Sequence, residues 1–130
     1  MIRVKGKTGL KTDGASGYAL CAKRASAIGA GQWRLVSTGV EISDMPPGLI
    51  GHVTGTRMMM AKGVLCASMV IDSLCSGEVT LMLMNTGREM VHIGQGEPVG
   101  QLYFSLALYP QMATDEVPHG FFADGLTGGQ

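Results

Sequence analysis

The stretch Met69-Val-Ile-Asp72-Ser-Leu-Cys75-Ser-Gly-Glu78-Val-Thr-Leu-Met-Leu-Met84-Asn-Thr-Gly87 carries most of the information about fold. An apolar triplet runs into a polar, glycine-containing break, and a second apolar run follows that ends in Asn-Thr-Gly. Two strands joined by a hairpin satisfy that order, because Asp, Ser and Gly close strands by turn chemistry. From Val79 to Met84 every residue except Thr80 is apolar. A strand of this kind is expected to be covered on both faces, by the core and by another sheet or another chain. An oligomer is the simplest source of the second cover.

The same rhythm recurs along the chain. Short apolar segments in "GYALCA", "QWRLVSTGVEIS", "MPPGLIGHVTG", "AKGVLCASMVID" and "EPVGQLYFSLAL" are each closed by Gly, Pro, Asn or Asp. In "TGVEIS" Val40 and Ile42 alternate with Gly39, Glu41 and Ser43, as in a strand with one wet face. Pro46 and Pro47 interrupt the ladder after it, since neither can donate a backbone hydrogen bond. The one helix expected is a short one around "RMMMAKG", stopped at Gly63. With 20 glycines and only 5% aromatic residues among 130, an all-β sandwich or barrel is the expected class.

Composition narrows function. Ten Lys plus Arg balance ten Asp plus Glu, so no charge excess draws the chain to nucleic acid or anionic lipid. No apolar run reaches the roughly 18 residues that cross a bilayer, and a cytoplasmic or virion location is expected. Cys21, Cys66 and Cys75 are too few and too scattered for a disulfide framework or a zinc site and read as buried free thiols. His52, His92 and His119 form no ligand pair, and no metal site is expected. The division expected is a β domain over 1–112 and a glycine-rich arm over 113–130, ordered only where it docks.

Taken in order, "ASGYALCA", "LVSTGVEI", "PPGLIGHV", Arg57 with "AKGV", "MVIDSLCSGEVTLMLMNTG" and "IGQGEPVGQL" resemble the trimeric dUTPase family from roughly Ala15 to Leu102. The resemblance implies a jelly-roll-like β barrel that forms a homotrimer, with sites at subunit interfaces and an arm reaching a neighbour. It implies a Mg²⁺-bound triphosphate held by several loops, and a carboxylate that orients water toward phosphorus. Asp72 falls on that carboxylate. Arg57, Gln101 and Phe122 fall on nucleotide-binding positions, with Phe121 as the alternative aromatic and Thr127 near it. Gly96 and Glu97 also match.

Other matched positions depart from the family pattern. Ala19 stands where an acid belongs to the metal shell, and a methyl group offers Mg²⁺ no oxygen. Met58 and Met59 replace a phosphate-binding Ser and a Gly that lets backbone amides approach. Cys75 replaces an aromatic ring that stacks on deoxyribose, Leu74 replaces an acid, Met69 a Gly and Pro98 an Arg. The arm has no Arg. Four lost polar contacts at about 2 kcal/mol each would lower the rate about a million-fold.

On that ground the expectation is a non-catalytic dUTPase-like homotrimer, a structural or interaction module of the kind that decorates or cements a capsid, with virion or host proteins as partners and no cofactor. Asp72 would then accept hairpin backbone N–H groups, Arg57 would pair with an acid across the interface, and Met58 to Met60 would plug the emptied phosphate pocket or offer a partner an apolar surface. The alternative is a divergent dUTP nucleotidohydrolase that uses Mg²⁺ and forms dUMP and diphosphate, a related deaminase using Asp72 or Glu78, or a nucleotide-binding regulator.

Overall fold

The computed structural model describes residues 1–6, 10–12 and 17–113. The described residues are all-β apart from one helical turn, and their strands form a two-sheet, jelly-roll-like barrel. The first sheet contains β1 (Arg3–Lys5), β5 (Trp33–Ser43), β9 (Glu78–Asn85) and β7 (Val64–Cys66), in the order β1-β5-β9-β7. The second has five strands in the order β2-β3-β11-β6-β8: β2 (Leu10–Thr12), β3 (Tyr18–Cys21), β11 (Pro98–Leu106), β6 (Leu49–Thr54) and β8 (Met69–Ile71). A two-stranded ribbon, β4 (Ser26–Ile28) with β10 (Val91–Ile93), completes it.

Alternation decides which side chains enter the core. Along β9, Val79, Leu81, Leu83 and Asn85 are buried while Glu78, Met82 and Met84 face out. Val36, Val40 and Ile42 from β5 meet them, and Leu20, Val53, Ile71 and Leu102 come from the second sheet. At 25 cal/mol per Å2, burying a side chain of this size contributes about 1.5–3 kcal/mol. Two buried polar residues are matched within this core. Thr38 donates to Val79 O (2.6 Å) where the β5–β9 register shifts, and Asn85 is fully enclosed by backbone partners. Gly17 is required by close approach, because a Cβ there would lie 2.3 Å from Leu102 O.

One expectation needs correction. "AKGVLCASMVID" is two strands: β7 and β8 part at Ala67–Ser68 and join different sheets. Among the described residues of one chain nothing covers the outer face of β9: Trp33 opposes Met84, Leu35 opposes Met82, and Leu65 flanks Met84, leaving all five side chains 38–59% exposed. The cysteines also differ from expectation. Cys21 is buried and Cys66 partly so, burial pushing its thiol pKa up, but Cys75 is exposed.

Candidate functional site

Asp72 heads the turn between β8 and β9. The two strands lie in different sheets and do not pair, so the expected hairpin is instead a crossing from one sheet to the other. Asp72 Oδ1 accepts a hydrogen bond from Leu74 N (2.9 Å) and lies 3.5 Å from the Cys75 thiol, while its carbonyl accepts from Cys75 N (3.1 Å). This is an Asx-type turn, in which a carboxylate stands in for a backbone acceptor. Asp72 therefore has the turn-forming role its position suggests. Only one carboxylate oxygen is used; Oδ2 takes no hydrogen bond among the described residues and is available to water. A pocket of about 40 Å3 beneath the turn is lined by Met69, Ile71, Cys75 and Glu78 among others, space for water rather than a nucleobase.

The second cluster lies at the far end of β6. Thr54 pairs with Gln101 on β11, and Gln101 pairs with Ala19 on β3, so the three stand in one row. From Thr54 the chain passes through Gly55 to α1 (Arg57–Ala61). Thr56 caps the helix, its hydroxyl accepting Met59 N at 3.1 Å. Lys62 and Gly63 stop it, Gly63 at a φ of 78° that suits glycine. Arg57 is exposed and forms no ion pair among the described residues.

Lys62 ties this cluster together. Its Nζ lies 2.8 Å from Glu97 Oε1, and Glu97 Oε2 accepts Gly94 N at 2.7 Å. The Lys62 hydrogen bond, with that of Gly94 N, holds the Glu97 carboxyl below the usual carboxylate range. The backbone of Glu97 accepts Ala22 N at 2.9 Å just after β3. One side-chain pair thus joins the end of α1 to the turn that leads into β11 and to the exit of β3. Neither the Thr56 cap nor the Lys62–Glu97 link was anticipated from sequence. A Thr before a helix former was a local signal for the first; the second joins residues 35 apart and had none.

The three methionines do not act alike. Met59 alone turns inward, 1% exposed and packed in the core, whereas Met58 and Met60 are 71% and 61% exposed. A five-residue helix has one inward position per turn, and Met59 occupies it. Met58 and Met60 instead leave apolar surface beside Arg57.

One chain does not bring Asp72 to Arg57 and Gln101. Ile71 lies opposite Gly51 and Met69 opposite Val53, so β8 runs back along β6 and leaves Asp72 beyond Gly51, away from Thr54. At about 3.3 Å per residue, the length of β6 separates the two groups by more than about 10 Å. Phe122, Phe121 and Thr127 lie outside the described residues, as does most of the expected arm. Among the described residues no group of three or more His, Cys, Asp or Glu could hold a metal ion, and Ala19 gives the Gln101 row no oxygen ligand. The described residues therefore do not build a protein-held Mg²⁺ site.

The fold and its parts define a two-sheet, jelly-roll-like β barrel with an Asx-turn carboxylate at one end and a basic helix turn beside a glutamine strand at the other. The family model described as dUTPase matches residues 8–120. The chain belongs to the dUTPase family. It is 34% identical over 109 residues to the deoxyuridine 5′-triphosphate nucleotidohydrolase of Anaeromyxobacter sp., covering 82% of this chain and 74% of that protein. It is 27% identical over 123 residues to the enzyme of the same name from cowpox virus, covering 89% and 83%. The EIAV dUTPase superposes with a TM-score of 0.78 at 25% identity, over 89% of this chain and 97% of that one. A Staphylococcus bacteriophage 80alpha dUTPase shares the fold, with a TM-score of 0.79 at 16% identity, over 90% and 97%.

These relatives overturn the expectation of a non-catalytic capsid module. Similarity to proteins named as dUTP nucleotidohydrolases runs over most of the chain, and nothing in the fold or the comparisons supports a pseudoenzyme or virion component. The physical error lay in adding the cost of each replaced contact as if the contacts were independent, which groups acting as a unit are not.

Proposed function

We propose that this chain hydrolyses dUTP to dUMP and diphosphate. The observation that carries the reading is Asp72: its turn consumes one carboxylate oxygen and leaves the other for water. That oxygen orients a water and takes its proton as the water oxygen bonds to the α-phosphorus. The bond from the α-phosphorus to the bridging oxygen breaks, and diphosphate leaves with the electron pair. A positioned general base of this kind contributes about 10²–10⁴ in rate. Arg57 supplies fixed positive charge for the phosphates, Gln101 an amide that orients them, and Lys62 with Glu97 holds the helix turn carrying Arg57 against β11. Mg²⁺ enters with the triphosphate as part of the substrate, and no step is assigned to a metal held by the protein.

The working unit we propose is a homotrimer. Two observations support it: the separation of Asp72 from Arg57 along β6, and apolar surface left uncovered. Trp33, Leu35, Leu65, Met82 and Met84 form a contiguous outer patch on the first sheet, and such patches mark interfaces. At and beyond the end of β11, Leu106, Leu108, Tyr109 and Met112 are exposed in a segment that can lie along a neighbour. A second copy then brings its Asp72 turn to the Arg57 cluster of the first.

The test is direct. The full chain is incubated with dUTP and Mg²⁺, and dUMP and diphosphate are followed, with Asp72→Asn in parallel. Turnover by the wild type that is lost in the variant supports the assignment, and absence of turnover above the uncatalysed rate overturns it. Sedimentation at the assay concentration checks assembly; an active monomer removes the trimer from the proposal.

A further inference from the structure

We propose that Cys75 is a positioning residue for dUTP hydrolysis: its thiol donates to Asp72 Oδ1 and so fixes which carboxylate oxygen is presented to the attacking water. This rests on the reading of Asp72 as the base and adds to it a side chain from the same turn. Asp72 Oδ1 takes Leu74 N at 2.9 Å and the Cys75 thiol at 3.5 Å, a longer contact because sulfur is the larger atom and the weaker donor. A carboxylate oxygen offers two lone-pair sites, so the two donors fill Oδ1 and leave Oδ2 with both of its own. Cys75 N meanwhile donates to Asp72 O at 3.1 Å, which keeps residue 75 folded back toward the residue it serves.

The thiol proton has a choice of acceptor. Val70 O lies 3.6 Å from the same sulfur, and the thiol carries one hydrogen. The ionised carboxylate takes it, because a hydrogen bond to a charged acceptor is roughly twice as strong as one to a neutral carbonyl. Packing does not account for the residue. Cys21 is buried and Cys66 partly so, as free cysteines commonly are, but Cys75 is exposed and lines the water-sized space beneath the turn together with Ile71 and Glu78. An exposed thiol contributes little by burial; what this one contributes is its hydrogen.

The consequence concerns rotation of the carboxylate. The terminal torsion of Asp is broad and nearly two-fold, so a carboxylate held by Leu74 N alone can turn and exchange Oδ1 with Oδ2. A second donor on Oδ1 narrows that motion and holds Oδ2 toward the water. Substrate binding does not depend on it, because no contact to dUTP is assigned to Cys75. The alignment of water, base and phosphorus does depend on it, and misalignment lowers the rate of the chemical step. Cys75 therefore acts on kcat through Asp72 and not on KM.

The test uses the full chain with dUTP and Mg²⁺. Cys75→Ala should lower kcat about tenfold with KM unchanged within about twofold, while Cys75→Ser, which keeps a donor on the same carbon, should recover kcat to within about threefold of wild type. A purely structural residue would instead lower the melting temperature and leave kcat of the folded fraction as it was. A second measurement needs neither turnover nor a folded Cys75→Ala protein. The infrared S–H stretch of Cys75, assigned as the band missing from Cys75→Ser, should move to higher frequency in Asp72→Asn, where the acceptor has lost its charge. The outcomes separate the two ideas. A wild type without turnover overturns the reading of Asp72 as base and removes the role that rests on it. An active wild type whose kcat is matched by Cys75→Ala, equal losses in Cys75→Ala and Cys75→Ser, or an S–H band that does not move in Asp72→Asn overturns the role of Cys75 alone.

Discussion

The turn that enters β9 and the loop that leaves it are both organised by a short polar side chain, and they use it differently. Asn85, at the exit, is 0% exposed; its Nδ2 donates to Ile28 O (3.0 Å) and Glu89 O (2.7 Å), and its Oδ1 accepts Gly87 N (2.9 Å). Its backbone also pairs with Gln32 O and Gly31 N. Asp72, at the entrance, is half-buried and commits one oxygen to the turn. A polar group whose capacity is fully used rigidifies the fold, whereas one with capacity left over can act on a ligand. The same strand thus separates a structural end from a reactive one.

Replacing the side chains tests that division. Asn85→Leu removes three hydrogen bonds and strands a buried carbonyl and amide, so we expect unfolding free energy to fall by about 4 kcal/mol. Denaturant unfolding measures it, and a loss below about 1 kcal/mol would show that water replaces Asn85. Asp72→Asn should do the reverse. The amide oxygen still accepts Leu74 N, so stability should change by less than about 1 kcal/mol, while dUTP turnover falls about 10²–10³-fold, equivalent to about 3–4 kcal/mol of barrier. Asp72→Ala sharpens the point, since it should lose both the turn and the activity.

Between these extremes lies Thr56. As the residue capping α1, it accepts one of the helix's free N–H groups, and Thr56→Ala should cost about 1 kcal/mol of stability. Because α1 carries Arg57, the same change should raise KM for dUTP more than it lowers kcat. Equal falls in kcat and kcat/KM would instead put Thr56 in the transition state itself.

Much of the fold was legible because long alternating or continuous apolar runs survive as strands: β3, β5, β6, β9 and β11 lie where their segments predict. Among the three-residue strands, β1, β2, β4 and β10 were not, since three residues are too few to show a period. The "LCASMV" segment misled for a related reason: Ala67 and Ser68 give a change of sheet without a Gly or Pro to mark it. At the site, Asp72 and Arg57 were found by motif, but the motif does not say that β6 holds them apart. The direction of the Met58 to Met60 run was equally hidden, because three identical side chains carry no phase.

The smallest expected effect concerns Glu97, whose hydrogen bond to Lys62 lowers its pKa in the folded chain. In the unfolded chain a Glu titrates near 4.3. A carboxyl whose folded pKa is depressed stabilises the fold above the unfolded value, and that contribution is lost as pH falls through the folded pKa. Both partners are partly solvated, with side chains 40% and 25% exposed, so the link contributes under about 1 kcal/mol. Glu97→Gln should therefore melt slightly below wild type at pH 7, and the gap should close as pH falls below about 4. Its activity readout is separate: with the link between α1 and β11 weakened, KM for dUTP should rise while kcat holds. A melting gap that persists unchanged to pH 3 would mean that Glu97 acts through the Gly94 turn by shape and that charge contributes nothing, which would leave Arg57 positioned by the Thr56 cap alone.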